Sequence, residues 1–265
     1  MTVRLAATEY GATGGADAPP LAILHGLFGS GRNWASIAQR LAAHRRVIVV
    51  DLRNHGASAW AGGMNYGEMA EDVLAMLDER GFRRAALLGH SMGGKAAMMA
   101  ALRDPDMVER LVVVDIAPVA YPPRHLALVR AMRGLGLTDI KRRSEADQAL
   151  AAAIPDAAER GFLLQNLVFE EDRARWRVNL EAIEHKMSDL TGFPAVPDNA
   201  VYTGPALFVG GARSNYLLPE HEPVIRRLFP NARIAHIDDA GHWVHAEQPA
   251  AFLQLVEPFL TAAGH

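Results

Sequence analysis

Gly89-His90-Ser91-Met92-Gly93 follows the apolar run Ala85 to Leu88 and precedes Lys95 to Arg103, where apolar residues recur at three- and four-residue spacing. Strand, tight turn and helix in that succession predict a nucleophile elbow. Its central residue takes a strained backbone, and side chains two positions to either side of it would collide. Glycines at 89 and 93 answer that constraint. The turn raises the Ser91 hydroxyl above the strand ends and aims the Met92 N–H at the place where a bound carbonyl oxygen would sit.

Working outward, similar short apolar runs occur at Leu21 to Leu24, Val47 to Val50, Leu111 to Val114 and Ala206 to Val209, each closed by Gly, His or Asp. Runs without polar alternation read as parallel strands buried on both faces. Val3 to Thr8 and Arg233 to Ile237 are further, more polar candidates. Helical spacing in Asn33 to Ala43, Met69 to Arg80 and Lys95 to Arg103 alternates with these runs and predicts an α/β fold, a mostly parallel central sheet flanked by helices. After Asp115 the rhythm breaks. From about 122 to 202 there are helical patterns, such as Leu126 to Leu135 and Arg173 to Met187, and no convincing strand, which predicts a helical cap inserted into a single domain spanning 1–265. The Gly-, Ala- and Pro-rich stretch Gly11 to Pro20 reads as a hairpin connection.

The 265 residues contain 27 Lys and Arg against 30 Asp and Glu, a net charge of −3, so no basic excess points to nucleic acid or to an anionic membrane. The cap stretch is balanced too, and Lys141-Arg142-Arg143 within it reads as a solvated helix end. Cysteine is absent, which excludes disulfides, thiolate nucleophiles and Cys-ligated metals. No metal-ligand cluster, dinucleotide fingerprint or P-loop occurs, so the sequence implies no cofactor and no metal. The N-terminal stretch does not resemble a signal peptide, and no apolar run reaches the length of a membrane span. The expectation is a cytoplasmic protein with a small-molecule substrate and no integral membrane association.

A serine hydroxyl needs a base within hydrogen-bond reach to act as a nucleophile. His242, in Asp239-Ala240-Gly241-His242-Trp243, follows the last expected strand and precedes the closing helix Glu247 to Leu260; the base comes last in the order serine, acid, histidine. His245 is the nearby competitor, more suited to facing that helix. An acid is commonly found after the second strand beyond the nucleophile, but Gly210-Gly211-Ala212-Arg213-Ser214-Asn215 carries no carboxylate there. One strand earlier, Leu111 to Val114 ends in Asp115, the candidate acid. Asp238 and Asp239 compete, although so short a separation hinders reach to Nδ1 of His242, and Asp115 as a plain turn cap is the structural alternative. For the oxyanion, His25-Gly26-Leu27-Phe28-Gly29 follows an early strand and offers the Leu27 N–H beside that of Met92. Phe28, Trp34 and Trp243 are candidates to line an apolar pocket. The polar stretch Asp51 to Ser58 reads as a loop held by internal hydrogen bonds, with His55 not counted as a ligand.

Together, His25-Gly26-Leu27, Asp51-x-Arg53-x-His55-Gly56-x-Ser58, Gly89-His90-Ser91-Met92-Gly93-Gly94 and Gly241-His242 resemble the α/β-hydrolase superfamily over essentially the whole chain. Val114-Asp115-Ile116-Ala117-Pro118 and Gly241-His242-Trp243-Val244-His245-Ala246-Glu247 look like small bacterial esterases related to mitochondrial abhydrolase-domain proteins. The resemblance implies an acid at Asp115 and a supporting role for Ser214, with Asn215 as its rival because the loop is one residue longer than that pattern. His90, Phe28 and Trp243 complete the set of supporting or substrate-contacting candidates. It implies a Ser-His-Asp esterase or thioesterase acting on small to medium acyl chains through an acyl-enzyme. Carbon–carbon bond hydrolysis, perhydrolysis or elimination on the same triad, and a non-catalytic binding protein on this scaffold, are the competing expectations.

Overall fold

The computed structural model describes residues 1–11, 18–170 and 173–262. Among these residues the strands are β1 (Ala7–Tyr10), β2 (Leu21–Leu24), β3 (Val47–Val50), β4 (Ala85–His90), β5 (Val108–Val114), β6 (Leu167–Glu170), β7 (Arg173–Trp176), β8 (Ala206–Gly211) and β9 (Ala232–Ile237). The main sheet has seven strands in the order β1-β3-β2-β4-β5-β8-β9. All its neighbouring pairs are parallel except the edge pair, in which β1 runs antiparallel to β3. The helices are α1 (Ala35–Leu41), α2 (Tyr66–Glu79), α3 (Met92–Arg103), α4 (His125–Arg133), α5 (Arg143–Leu150), α6 (Ala157–Leu164), α7 (Leu180–His185), α8 (Met187–Thr191), α9 (Glu222–Leu228), α10 (Val244–Glu247) and α11 (Pro249–Thr261).

Alternate residues of the central strands serve opposite faces of the sheet. Leu21, Ile23, Val47, Val49 and Leu88 pack with Ile37 and Leu41 of α1 and with Phe252 and Val256 of α11. Ala22, Leu24, Ile48, Val50 and Leu87 pack with Met69, Val73 and Leu77 of α2 and with Ala97 and Ala101 of α3. Because both faces are covered, these strands have no reason to alternate with polar residues. α2 starts at a reciprocal cap: the Asn65 side chain accepts the Glu68 N–H at 2.9 Å, and the Glu68 carboxylate accepts the Asn65 N–H at 3.1 Å. The alanines of α3 let that helix lie close against the sheet behind the elbow.

Between β5 and β8 the chain leaves the sheet and builds α4 to α8 together with a two-stranded hairpin, β6 against β7. The hairpin corrects the strand-free expectation for this stretch and the helix expected over Arg173 to Met187. Ala174 and Trp176 are buried while Arg173 and Arg175 are exposed, a period-two pattern, and the helix begins only at Leu180. The hairpin connection expected over Gly11 to Pro20 is also corrected: β3 lies between β1 and β2, so the two strands flanking this stretch are not paired. Its residues 12–17 lie outside the described residues. Lys141, Arg142 and Arg143 are exposed, as expected, and Arg143 also ties the excursion together by donating to the carbonyls of Leu164 and Leu167. Among the described residues no helix is long and apolar enough to cross a membrane.

Candidate active site

Ser91 sits between β4 and α3 with φ 51° and ψ −116°, a conformation rarely adopted by a non-glycine residue. A Cβ on Gly89 would lie 2.2 Å from the Gly93 carbonyl oxygen, and one on Gly93 would lie 2.4 Å from that of Leu24. The turn therefore closes only with glycine at both positions. The Ser91 N–H donates to the Val114 carbonyl at 2.9 Å, and the Asp115 N–H to that of Val209 at 2.9 Å. The strand-end residues 91 and 115 are thus fixed across three adjacent strands by backbone bonds.

Asp115 is fully buried and also has φ 51°. Its Oδ2 is 2.7 Å from Nδ1 of His242, and its Oδ1 accepts the Gly211 N–H at 3.0 Å. The Ser214 hydroxyl donates to Oδ2 as well. Ser214, and not Asn215, is the residue of that loop that reaches Asp115. Asp238 and Asp239 are exposed. His245 is stacked on Trp34 at 3.8 Å between centroids, edge-on to Phe252 of α11, and burial lowers its pKa to about 3. Nε2 of His90 donates to the His242 carbonyl at 2.8 Å, and Tyr216 lies against the His242 ring at 4.2 Å between centroids.

The Leu27 loop is held from behind by two buried histidines. Nδ1 of His55 donates to the Arg53 carbonyl at 3.0 Å, which leaves Nε2 free to accept the Phe28 N–H at 3.1 Å. In the same way His25 donates through Nδ1 to the Gly26 carbonyl and accepts the Leu52 N–H at Nε2. Both patterns require neutral rings. Burial supplies them: it lowers the pKa of His25, and it lowers that of His55 to about 3, helped by the neighbouring His25. The polar loop expected over Asp51 to Ser58 is tied together as anticipated, with Asp51 accepting the Gly31 and Ala57 N–H groups and Arg53 paired to the buried Asp72.

Two cavities meet at Ser91. The first is lined by His25 to Gly29, Trp34, His90, His242 and Trp243 from the sheet side, and by His125, Glu159 and Phe162 from the excursion. The second is lined by Leu27, Met92, Lys95, Tyr66, Tyr121 and Tyr216 among others. Phe28, Trp34 and Trp243 thus face the first cavity, whereas Leu27, Ser91 and His125 border both. Sequence reasoning passed over Tyr216, His125 and Lys95. Lys95 reads as an ordinary helix cation, yet it is 1% exposed and its Nζ donates to the carbonyls of Val119, Thr191 and Gly192.

A family model described as the alpha/beta hydrolase fold matches residues 19–249. The chain is 42% identical over 255 residues to the sn-1-specific diacylglycerol lipase ABHD11 of Mus musculus, covering 93% of this chain and 82% of that one. It is 35% identical to esterase YbfF of Escherichia coli, covering 91% of this chain and 92% of that one. Among solved structures, a marine microorganism esterase superposes with a TM-score of 0.92 at 36% identity, covering 97% of this chain and all of that one.

Proposed function

We propose, from the fact that this chain belongs to the α/β-hydrolase family, that it is a serine hydrolase of carboxylic esters and thioesters, with Ser91 as nucleophile, His242 as base and Asp115 as acid. The observation that carries the reading is the 2.7 Å bond from the buried Asp115 to Nδ1 of His242, beside a cavity that the elbow serine and His242 share. The hydrolases among its relatives, a diacylglycerol lipase and an esterase by name, support ester cleavage.

In this reading Ser91 Oγ attacks the acyl carbonyl while its proton passes to Nε2 of His242, and the Leu27 and Met92 N–H groups receive the oxygen that becomes negative. Collapse of the tetrahedral species breaks the bond to the leaving oxygen or sulfur, which takes the proton from His242. Water then repeats the sequence on the acyl-enzyme: its proton goes to His242, its oxygen bonds to the acyl carbon, and Ser91 is released with a carboxylic acid as product. Asp115 holds the tautomer with Nδ1–H and stabilises the imidazolium. The excursion between β5 and β8 acts as a cap over the site of a single domain, contributing His125 to both cavities and Glu159 and Phe162 to the first.

The test is labelling with a fluorophosphonate probe, compared between the natural chain and Ser91→Ala. Labelling confined to the natural chain is expected. Equal labelling of both proteins would remove Ser91 from its role.

A further inference from the structure

The two cavities are not equivalent with respect to the proposed chemistry. His242, which must hand a proton to the leaving oxygen, lines the first cavity and not the second; Met92, whose N–H would face the oxyanion, lines the second and not the first. The leaving group therefore occupies the first cavity and the acyl chain the second. Lys95, one helical turn beyond Ser91 on α3, also lines the second cavity.

Lys95 is a buried cation without a counter-ion. None of the residues lining its cavity is acidic, and among the described residues no carboxylate forms an ion pair with it. Its neighbours are backbone carbonyls and two aromatic faces: Nζ lies 4.8 Å from the centroid of Tyr121 and 5.5 Å from that of Tyr66. The phenols cannot serve as counter-charges, because burial raises the pKa of both. Burial in turn lowers the Lys95 ammonium to about 7, as expected of a cation held without an anionic partner. Buried charges are ordinarily paired, and this one borders the space an acyl chain would fill. Of its carbonyl contacts, the one to Thr191 is the longest at 3.2 Å, and Thr191 lines the cavity, so that contact is the one an incoming carboxylate would replace.

We propose that Lys95 selects acyl groups ending in a carboxylate, so that the second cavity accepts the half-esters or half-thioesters of short dicarboxylic acids. This rests on the serine-hydrolase reading above. Ser91 and Lys95 line the same cavity, so the carboxylate of a short acyl group carried by Ser91, such as succinyl or glutaryl, meets the ammonium within it. Only the carboxylate end meets the ammonium; the methylenes lie against Leu27, Ile116 and the Tyr121 ring, which line the same cavity.

The experiment compares ethanol release from monoethyl glutarate and from ethyl valerate, whose acyl groups have equal carbon number and differ in the terminal carboxylate. A kcat/KM ratio of at least tenfold in favour of the half-ester is expected for the natural chain, and a ratio below one for Lys95→Met. A natural chain that prefers the valerate overturns the proposal even if the variant does not fold. So does a variant that loses activity on both esters by one factor with the ratio intact, for Lys95 would then only fasten the cap. If the fluorophosphonate labels Ser91 but the half-ester is left intact, the acyl assignment fails alone; if Ser91 is not labelled, the serine-hydrolase reading fails first.

Discussion

Nε2 of His90 donates to the backbone carbonyl of His242 across 2.8 Å, so the residue preceding Ser91 holds the loop that carries His242. The ring is buried, and a Cβ on Gly26 would lie 2.8 Å from its Nδ1, so it has little freedom to turn. Burial together with His242 and His245 holds its pKa well below the ordinary value, which keeps the ring neutral with its proton on Nε2.

Replacing His90 by Phe preserves the ring and removes the donor. Losing this part-buried hydrogen bond costs about 0.5–1.5 kcal/mol, so kcat is expected to fall roughly twofold to tenfold as His242 wanders from its bond to Asp115. Steady-state kinetics beside a thermal melt checks this: a fall in kcat with KM nearly unchanged marks a positioning effect, and an unchanged kcat would remove His90 from that role.

Asp115→Asn replaces an acceptor of three donors, Gly211 N–H, Ser214 hydroxyl and His242 Nδ1–H, by a group that presents an NH2 on one side. The imidazole is driven towards the wrong tautomer, and loss of about four orders of magnitude in kcat is expected, as in other triads. Rates measured with a chromogenic ester decide it. Near-normal turnover would return attention to Asp238 and Asp239.

The buried histidines also set an acid limit on stability. Burial is the main cause lowering His25, His55, His90 and His245, so the folded chain binds fewer protons than the unfolded chain below the unfolded pKa of about 6.5. Stability from these groups is complete above about 6.5 and is lost as the pH falls towards about 3, the value for His55 and His245. Tm is expected to drop steadily from pH 7 to pH 4.5, ahead of the carboxylate range. His55→Gln, which can still accept the Phe28 N–H, should flatten the slope by about one proton. Melts at four pH values test the sign, and a Tm that rises on acidification would contradict it.

The parts of this fold that could be read from the residues are those governed by burial on both sides. Leu21 to Leu24 and Val47 to Val50 have the same limits in sequence and structure because a doubly covered strand is apolar throughout and stops at its first polar neighbour. The pairing of Asp115 with His242 was legible by elimination, since the loop after β8 lacks a carboxylate. The β6–β7 hairpin was not, because four-residue strands in which charged arginines alternate with Ala174 and Trp176 also satisfy a helical spacing over a longer window. Lys95 was opaque for another reason. Its surroundings are carbonyls from residues 119, 191 and 192, and only the folded path of the cap brings them together.

The backbone bonds from Ser91 to Val114 and from Asp115 to Val209 make the sheet ladder a ruler for the chemistry. One residue of slippage between β4 and β5 would shift Ser91 against Asp115 by about 3.3 Å, more than the length of the bond from Asp115 to His242. A nascent or frayed chain that has not seated these strands in register is accordingly chemically silent. Ester turnover then doubles as a register gauge, appearing during refolding only once the ladder has closed across β4, β5 and β8.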